Sequence, residues 1–433
     1  MMPGDRMMEI QGVPMRAESA WGRRVIVPRS LVAPVAALIA IALLIKGGVQ
    51  FWGIEGAGFD WLLIWQATRL TIRGIDPFAL ALDPTTVMLL SERAQAETLV
   101  AGIPAMVAYP PLTYVWLSGL GMLDFQYARL GFLVLNLLAL AVLTETVWRM
   151  LALSWREKWG ALALGFANLG FSQTLIGNLG ILSIAAMALA VRLSYTHRPV
   201  SGGLVLGFSL IKHTVGGALC VALFTQRGQM PMLLVTVGVS IVLWGVGEHL
   251  MGVGVGESMT AMMAGVARWS SGGYGLWKIL EYGGIARPIA VVMTAVPVLV
   301  VMVVMLRSLR EPRPLVLLAL ASVAGRLATY HNQIDNVMLF FLVVALWTAD
   351  RRPEAENPRM LALATGVTLL FPWRLVDTPF AQACTNAVWV LGAISLWRTE
   401  RDARFQPRFP TEPLASPDDR ELSMPLASRP LNV

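Results

Sequence analysis

Cysteine is almost absent from this chain: there are two in 433 residues, Cys220 and Cys384, and both lie within apolar runs. That excludes a disulfide framework and any cysteine metal site, because a thiol in such surroundings behaves as a small hydrophobe. Charge is scarce as well, at 14% of residues against 56% apolar, with a mean hydropathy of +0.63. An ordinary soluble core does not need that much hydrocarbon, and no polar stretch is long enough to fold as a separate domain. No Asp-x-Asp occurs, and no His, Asp or Glu cluster has metal-ligand spacing, so no metal or other cofactor is expected. The two halves show no repeat of the kind built into secondary transporters.

What is present is one apolar run after another. They read as an all-α polytopic membrane protein of about twelve helices: Leu31–Val49, Pro111–Leu123, Leu130–Trp148, Trp159–Ser172, Leu175–Leu193, Gly202–Phe224, Met232–Val246, Pro288–Leu306, Pro314–Tyr330, Val337–Thr348, Met360–Phe371 and Phe380–Trp397. Several fall short of the roughly 17 residues needed to cross a bilayer, so either their flanks reach into the interface or some are re-entrant. The division is a basic N-terminal segment over 1–30, a membrane domain over 31–397 with outer loops at about 50–109 and 247–287, and a Pro- and Ser-rich disordered tail over 398–433. Arg16, Arg23, Arg24 and Arg29 precede the first run, which reads as an uncleaved signal anchor. The net charge of +7 resides mainly between apolar runs, the topology pattern of a membrane protein rather than a nucleic-acid signal. With both termini cytoplasmic, Arg307, Arg310, Arg313, Arg351, Arg352, Arg359, Arg398, Arg401 and Arg404 obey the positive-inside rule. Arg149, Arg156, Lys158, Arg192 and Arg198 do not, which points to a miscounted segment between Pro111 and Leu193.

The first outer loop contains Gly58-Phe59-Asp60-Trp61, then an amphipathic stretch through Arg73, then Gly74 and Asp76-Pro77-Phe78. An Asp at one end and a Gly at the other bound a short helix, and Trp61 and Trp65, one turn apart, suit a helix along the membrane interface. Asp60 is sufficiently explained as a helix cap; held on a rigid element at the mouth of the membrane domain, it also fits a general base.

These residues resemble a known pattern. Asp60 after the first span, the Gly-x-Asp-Pro-aromatic turn at Gly74–Phe78, and Tyr109-Pro110-Pro111-Leu112 opening the next span are similar to the GT-C glycosyltransferases, specifically glycosyltransferase family 87. Gly177-Asn178-Leu179-Gly180 resembles the family's Gly-Gln-x-Asn region, with Asn in place of Gln. Gly202-Gly203-Leu204 through Lys212-His213-Thr214 resembles its Gly-rich helix ending in Lys-Pro, with His in place of Pro. The likeness runs from about Gly58 to Phe224, with a weaker continuation at Tyr330–Asp335. It implies an inverting transferase that moves one sugar, mannose- or arabinofuranose-like, from a polyprenyl-phosphate donor to a hydroxyl of an envelope lipid or glycan. It implies a bacterial-type plasma membrane with the active site on the outer face. The alternatives are a secondary transporter or lipid-linked sugar flippase, and a non-catalytic assembly subunit of the same architecture.

Carried onto this chain, the family's first-loop Asp is Asp60, the base that activates the acceptor hydroxyl. The leaving phosphate needs cations. Lys212 lies mid-run, where a Lys costs about 2.5–3.5 kcal/mol on insertion scales, so it either contacts the donor phosphate or snorkels along a groove; neighbouring His213 packs between helices. Arg326 sits inside an apolar run and shares a helix face with Tyr330, as His331 does with Asp335, which is placed to orient that imidazole. This cluster suits donor phosphate or sugar, or caps a helix. From the aromatic and basic second outer loop only Arg287 is kept as a donor ligand, with Asn178, Tyr330 and Asp335 in support.

Overall fold

The computed structural model describes residues 29–53, 59–82, 109–167, 177–254, 256–269, 275–309, 311–329, 333–349, 358–370 and 378–405. Every regular element among them is helical. By length and composition alone, six helical stretches could cross a membrane: Val32–Val49, Phe125–Met150, Pro199–Phe224, Met230–Met251, Arg287–Leu309 and Pro379–Asp402. Exposed apolar stripes at helical spacing run along three of them: Leu38, Ile41 and Ile45 on the first, Leu234, Ile241 and Val242 on the fourth, and Met293, Val296, Val300 and Val304 on the fifth. Exposed apolar faces of this extent fit lipid and not water, and they make the protein membrane-embedded.

In chain order the helices are α1 (Arg29–Gly53), α2 (Phe59–Ile72), α3 (Pro77–Leu82), α4 (Pro111–Trp116), α5 (Ser118–Gly121), α6 (Phe125–Met150), α7 (Trp155–Phe166), α8 (Gly180–Tyr195), α9 (Pro199–Ser209), α10 (His213–Phe224), α11 (Met230–Met251), α12 (Glu257–Trp269), α13 (Leu276–Tyr282), α14 (Arg287–Leu309), α15 (Pro314–Ala328), α16 (Phe340–Ala349), α17 (Pro358–Leu370) and α18 (Pro379–Phe405). Short 3₁₀ turns at Leu210–Lys212 and Gln333–Leu339 join α9 to α10 and precede α16. The short helices α8, α15 and α16 are the innermost: every residue of α15 from Leu315 to Ala328 is buried. Pro opens α4, α9 and α15, where its missing N–H costs nothing.

Two of the twelve expected spans are not single crossings. Pro111–Leu123 is broken into α4 and α5 and returns to the helix beside which it began, since Gly121 abuts Thr68 and Arg69 of α2. Gly202–Phe224 reverses direction. Gly203 of α9 lies against Met232 and Val235 of α11, and Gly207 against Thr236 and Val239, so α9 and α11 run parallel and α10, which joins them in the chain, must run the opposite way. Arms of 11 and 12 residues reach about 17–18 Å each, too short to cross alone. Gly202 and Gly203 permit the close packing of α9 on α11: a Cβ on Gly203 would stand 2.6 Å from the Met232 carbonyl oxygen. Carbonyls at the reversal are satisfied by hydroxyls, with Ser183 donating to Ser209 O at 2.7 Å and Thr113 donating to Ile211 O at 2.8 Å.

Once Pro111–Leu123 is a dip rather than a crossing, the misplaced basic residues fall into line. Lys158 lies over the Trp148 ring, Trp148 meets Trp159, and Gly160 faces Ala33 near the start of α1. Arg149, Arg156 and Lys158 therefore share the end of the bundle at which α1 begins. At the ends of the other helices, Tyr195 donates to Pro312 O at 2.9 Å, Arg313 pairs with Glu400 at 2.7 Å, and Trp397 donates to Ser308 at 2.8 Å. The opposite end of α1, at Phe51, packs beside Gly177 and Phe132.

Candidate active site

The helix α2 begins one residue before Asp60, which puts the carboxylate inside the first turn rather than at the cap. The rest of the helix is fixed by burial. Trp61 and Trp65 do not lie on an interface but are enclosed: Trp61 stacks on Phe132 with centroids 4.1 Å apart, and Trp65 donates to Leu123 O at 3.2 Å. At the far end, Ile75 N donates to Leu70 O and Gly74 N to Thr71 O, with Gly74 left-handed at φ 73°. Asp76 accepts from Phe78 N at 2.8 Å and starts α3. The Gly-x-Asp-Pro-aromatic turn is thus a helix stop followed by a helix start.

Asn178 meets Asp60 because of the residue before it. Gly177 has φ 73°, and a Cβ there would lie 2.6 Å from Trp61 Cβ and 3.0 Å from Phe51. Only glycine satisfies both the left-handed backbone and the close approach. Lys212 arrives from another direction, at the reversal between α9 and α10, and Asp335 from the second 3₁₀ turn.

These residues form one buried chain. Asn178 Nδ2 donates to Asp60 Oδ2 at 2.8 Å and lies 3.5 Å from the Tyr109 hydroxyl. Its Oδ1 accepts from Gly180 N at 3.0 Å and from Lys212 Nζ, and Lys212 forms an ion pair with Asp335. The amide orientation is forced, because only the oxygen can accept from a backbone N–H and an ammonium. Asp60, Tyr109, Asn178, Lys212 and Asp335 are each less than a tenth exposed. Arg326, also buried, donates from Nε to Asn336 Oδ1 at 2.6 Å and lies over the Trp389 ring, so it joins the same 3₁₀ turn one residue beyond Asp335.

Burial pushes the Asp60 carboxyl above its ordinary range; the Asn178 hydrogen bond and the charge of Lys212 pull it back, and Asp335 adds to the rise. Burial holds the Tyr109 phenol well above its ordinary value, so it stays protonated. A carboxylate in such surroundings is a stronger base than one in water.

Of the residues singled out in the sequence, Asp60, Asn178, Lys212 and Asp335 come together, and Arg326 joins them through Asn336. Arg287 pairs with Glu281 at 2.8 Å and lies over Trp277, tying α13 to α14. The Lys278 hydrogen bond, with Arg287 beside it, holds the Glu281 carboxyl below its usual range. Tyr330 and His331 lie outside the described residues. Asp335, expected to orient His331, has Lys212 as a partner. Tyr109 is visible in the sequence as the first residue of Tyr-Pro-Pro-Leu but not as a site residue, since nothing local ties it to a loop 69 residues away.

An apolar groove of about 250 Å³ lies between α13, α14, α15 and α18. Leu276, Val301, Leu320, Leu327 and Val390 line it, and Pro297 interrupts α14 at its wall. Val390 adjoins Trp389, on which Arg326 rests.

The glycosyltransferase family 87 model matches residues 108–272, a region that contains Tyr109, Asn178 and Lys212. No curated protein and no solved structure matches the chain.

Proposed function

We propose that this membrane glycosyltransferase, matched by the family 87 model over residues 108–272, moves a single sugar from a polyprenyl-phosphate donor to the hydroxyl of an envelope lipid or glycan, with inversion. The observation that carries this reading is Asp60: a buried carboxylate whose described hydrogen-bond partner is a neutral amide. The acceptor oxygen attacks the anomeric carbon and gives its proton to Asp60. The bond from that carbon to the phosphate oxygen breaks, and its electron pair leaves with the phosphate. One displacement with one base inverts the centre.

The groove between α13, α14, α15 and α18 supports a lipid-borne donor, because it offers isoprene units an apolar bed lined in part by α15, the helix that carries Arg326. Lys212 and Arg326 supply positive charge for the phosphate, in competition with Asp335 and Asn336. His331 and Arg287 remain proposed donor ligands. The basic end of the bundle is assigned to the cytoplasm by the positive-inside rule, which directs the Asp60 end to the outer face of a bacterial-type plasma membrane. A mannose- or arabinofuranose-like sugar is the proposed cargo.

The test is incubation of purified protein with a panel of polyprenyl-phosphate sugars and envelope lipids, with products read by mass spectrometry. Gain of one sugar mass on an acceptor, dependent on a polyprenyl-phosphate donor, is expected. Transfer only from nucleotide sugars would overturn the donor assignment.

A further inference from the structure

Asp60 and Lys212 are brought to the same amide, one on its nitrogen and the other on its oxygen. Asn178 gives its two N–H groups to Asp60 and Tyr109, and its oxygen accepts from Lys212 and Gly180 N. Lys212 is in turn neutralised by Asp335. We infer that Asn178 is a positioning residue that works as a spacer: it fixes Asp60 while keeping the Lys212 ammonium one amide width away, so that the base is held in place without being consumed in an ion pair. The inference rests on the reading of Asp60 as base.

Two partners compete for the carboxylate. In direct contact with an ammonium it has its pKa lowered by about 1–3 units and gives up basicity. A neutral amide donor orients the same carboxylate at smaller cost to its basicity. With Asp335 balancing Lys212, ionised Asp60 leaves the trio one charge negative, and uptake of the acceptor proton makes it neutral. The groups acting electrostatically on Asp60 are Lys212 and Asp335, with the Asn178 hydrogen bond. Tyr109 faces it protonated from the start of α4. Of the charges on helices packed against α2, Arg129 of α6 lies over the Phe51 ring, and Glu248 of α11 accepts from Trp244 and Ser258.

The experiment compares pH–rate profiles for transfer by wild type, Asn178→Ala, Asn178→Gln and Asp60→Asn. Asn178→Ala opens the space through which Lys212 reaches Asp60. Its acidic limb is expected to move down by about one pH unit or more, with a loss of rate. Loss of a hydrogen bond alone would move the limb up, so an upward or unchanged limb overturns the inference. Asn178→Gln keeps the amide and is expected to restore the wild-type limb; failure to do so also counts against a spacer. If Asn178→Ala does not fold, Asn178→Ser asks the same question, because it too removes the amide that stands between Lys212 and Asp60. Transfer retained by Asp60→Asn would instead remove the base assignment, a separate outcome.

Discussion

The Lys212–Asp335 pair gives the most quantitative handle on the site. Both side chains are less than a tenth exposed, so neither is screened as a surface pair would be. Lys212→Met leaves Asp335 as a buried charge stripped of this partner, and Asp335→Asn does the same to Lys212. Each is expected to cost about 3–5 kcal/mol. In the double variant no charge of the pair is stranded, so its cost falls below the sum of the singles by about 1–3 kcal/mol. Unfolding in detergent, followed by tryptophan fluorescence, reads all four corners of the cycle. Additive losses, or singles costing no more than the roughly 0–1 kcal/mol of an exposed pair, would refute the burial argument.

Gly177→Ala combines a left-handed backbone with a Cβ 2.6 Å from Trp61, and about 2–5 kcal/mol of destabilisation is expected, with transfer falling as Asn178 shifts; thermal unfolding and product formation check both. Because burial raises the Asp60 carboxyl, and a base acts ionised, kcat/KM is expected to rise with pH along a limb above the ordinary carboxylate range; a limb within that range would show that Asp60 is solvated. The associated stability has the opposite sense, being full below the unfolded-state value and lost as pH rises through the folded one. Tyr109→Phe removes only a 3.5 Å contact, and a thermal shift equivalent to about 1 kcal/mol or less is expected.

Much of this site is legible in the sequence because its residues are chemically out of place. Lys212 and Arg326 interrupt apolar runs, and Asp60 is the carboxylate at the head of a helix. What stays hidden there is the use of the glycines and the route of the chain. Gly202 and Gly203 look like a motif and function as a close helix contact; Gly177 holds the Asn178 loop against Trp61. Pro111–Leu123 and Gly202–Phe224 have the composition of spans, but composition does not show that the chain turns back. The charges do: Arg149, Arg156 and Lys158 resist a twelve-span count, and the dip of α4 and α5 removes the conflict. The Asp335–Lys212 pairing joins two elements far apart in the chain, beyond the reach of any local pattern.

Transfer of the acceptor hydroxyl's proton to Asp60 is the step on which the mechanism turns. Asp60→Asn preserves shape and can still meet Asn178 after an amide reorientation, so the protein is expected to remain folded. Product formation from a polyprenyl-phosphate sugar, measured by mass spectrometry beside the thermal unfolding of the same sample, tests it directly. An unfolding midpoint close to wild type and a rate lowered by about 10²–10⁴-fold are expected; a folded Asp60→Asn protein that transfers sugar at the wild-type rate would contradict the assignment.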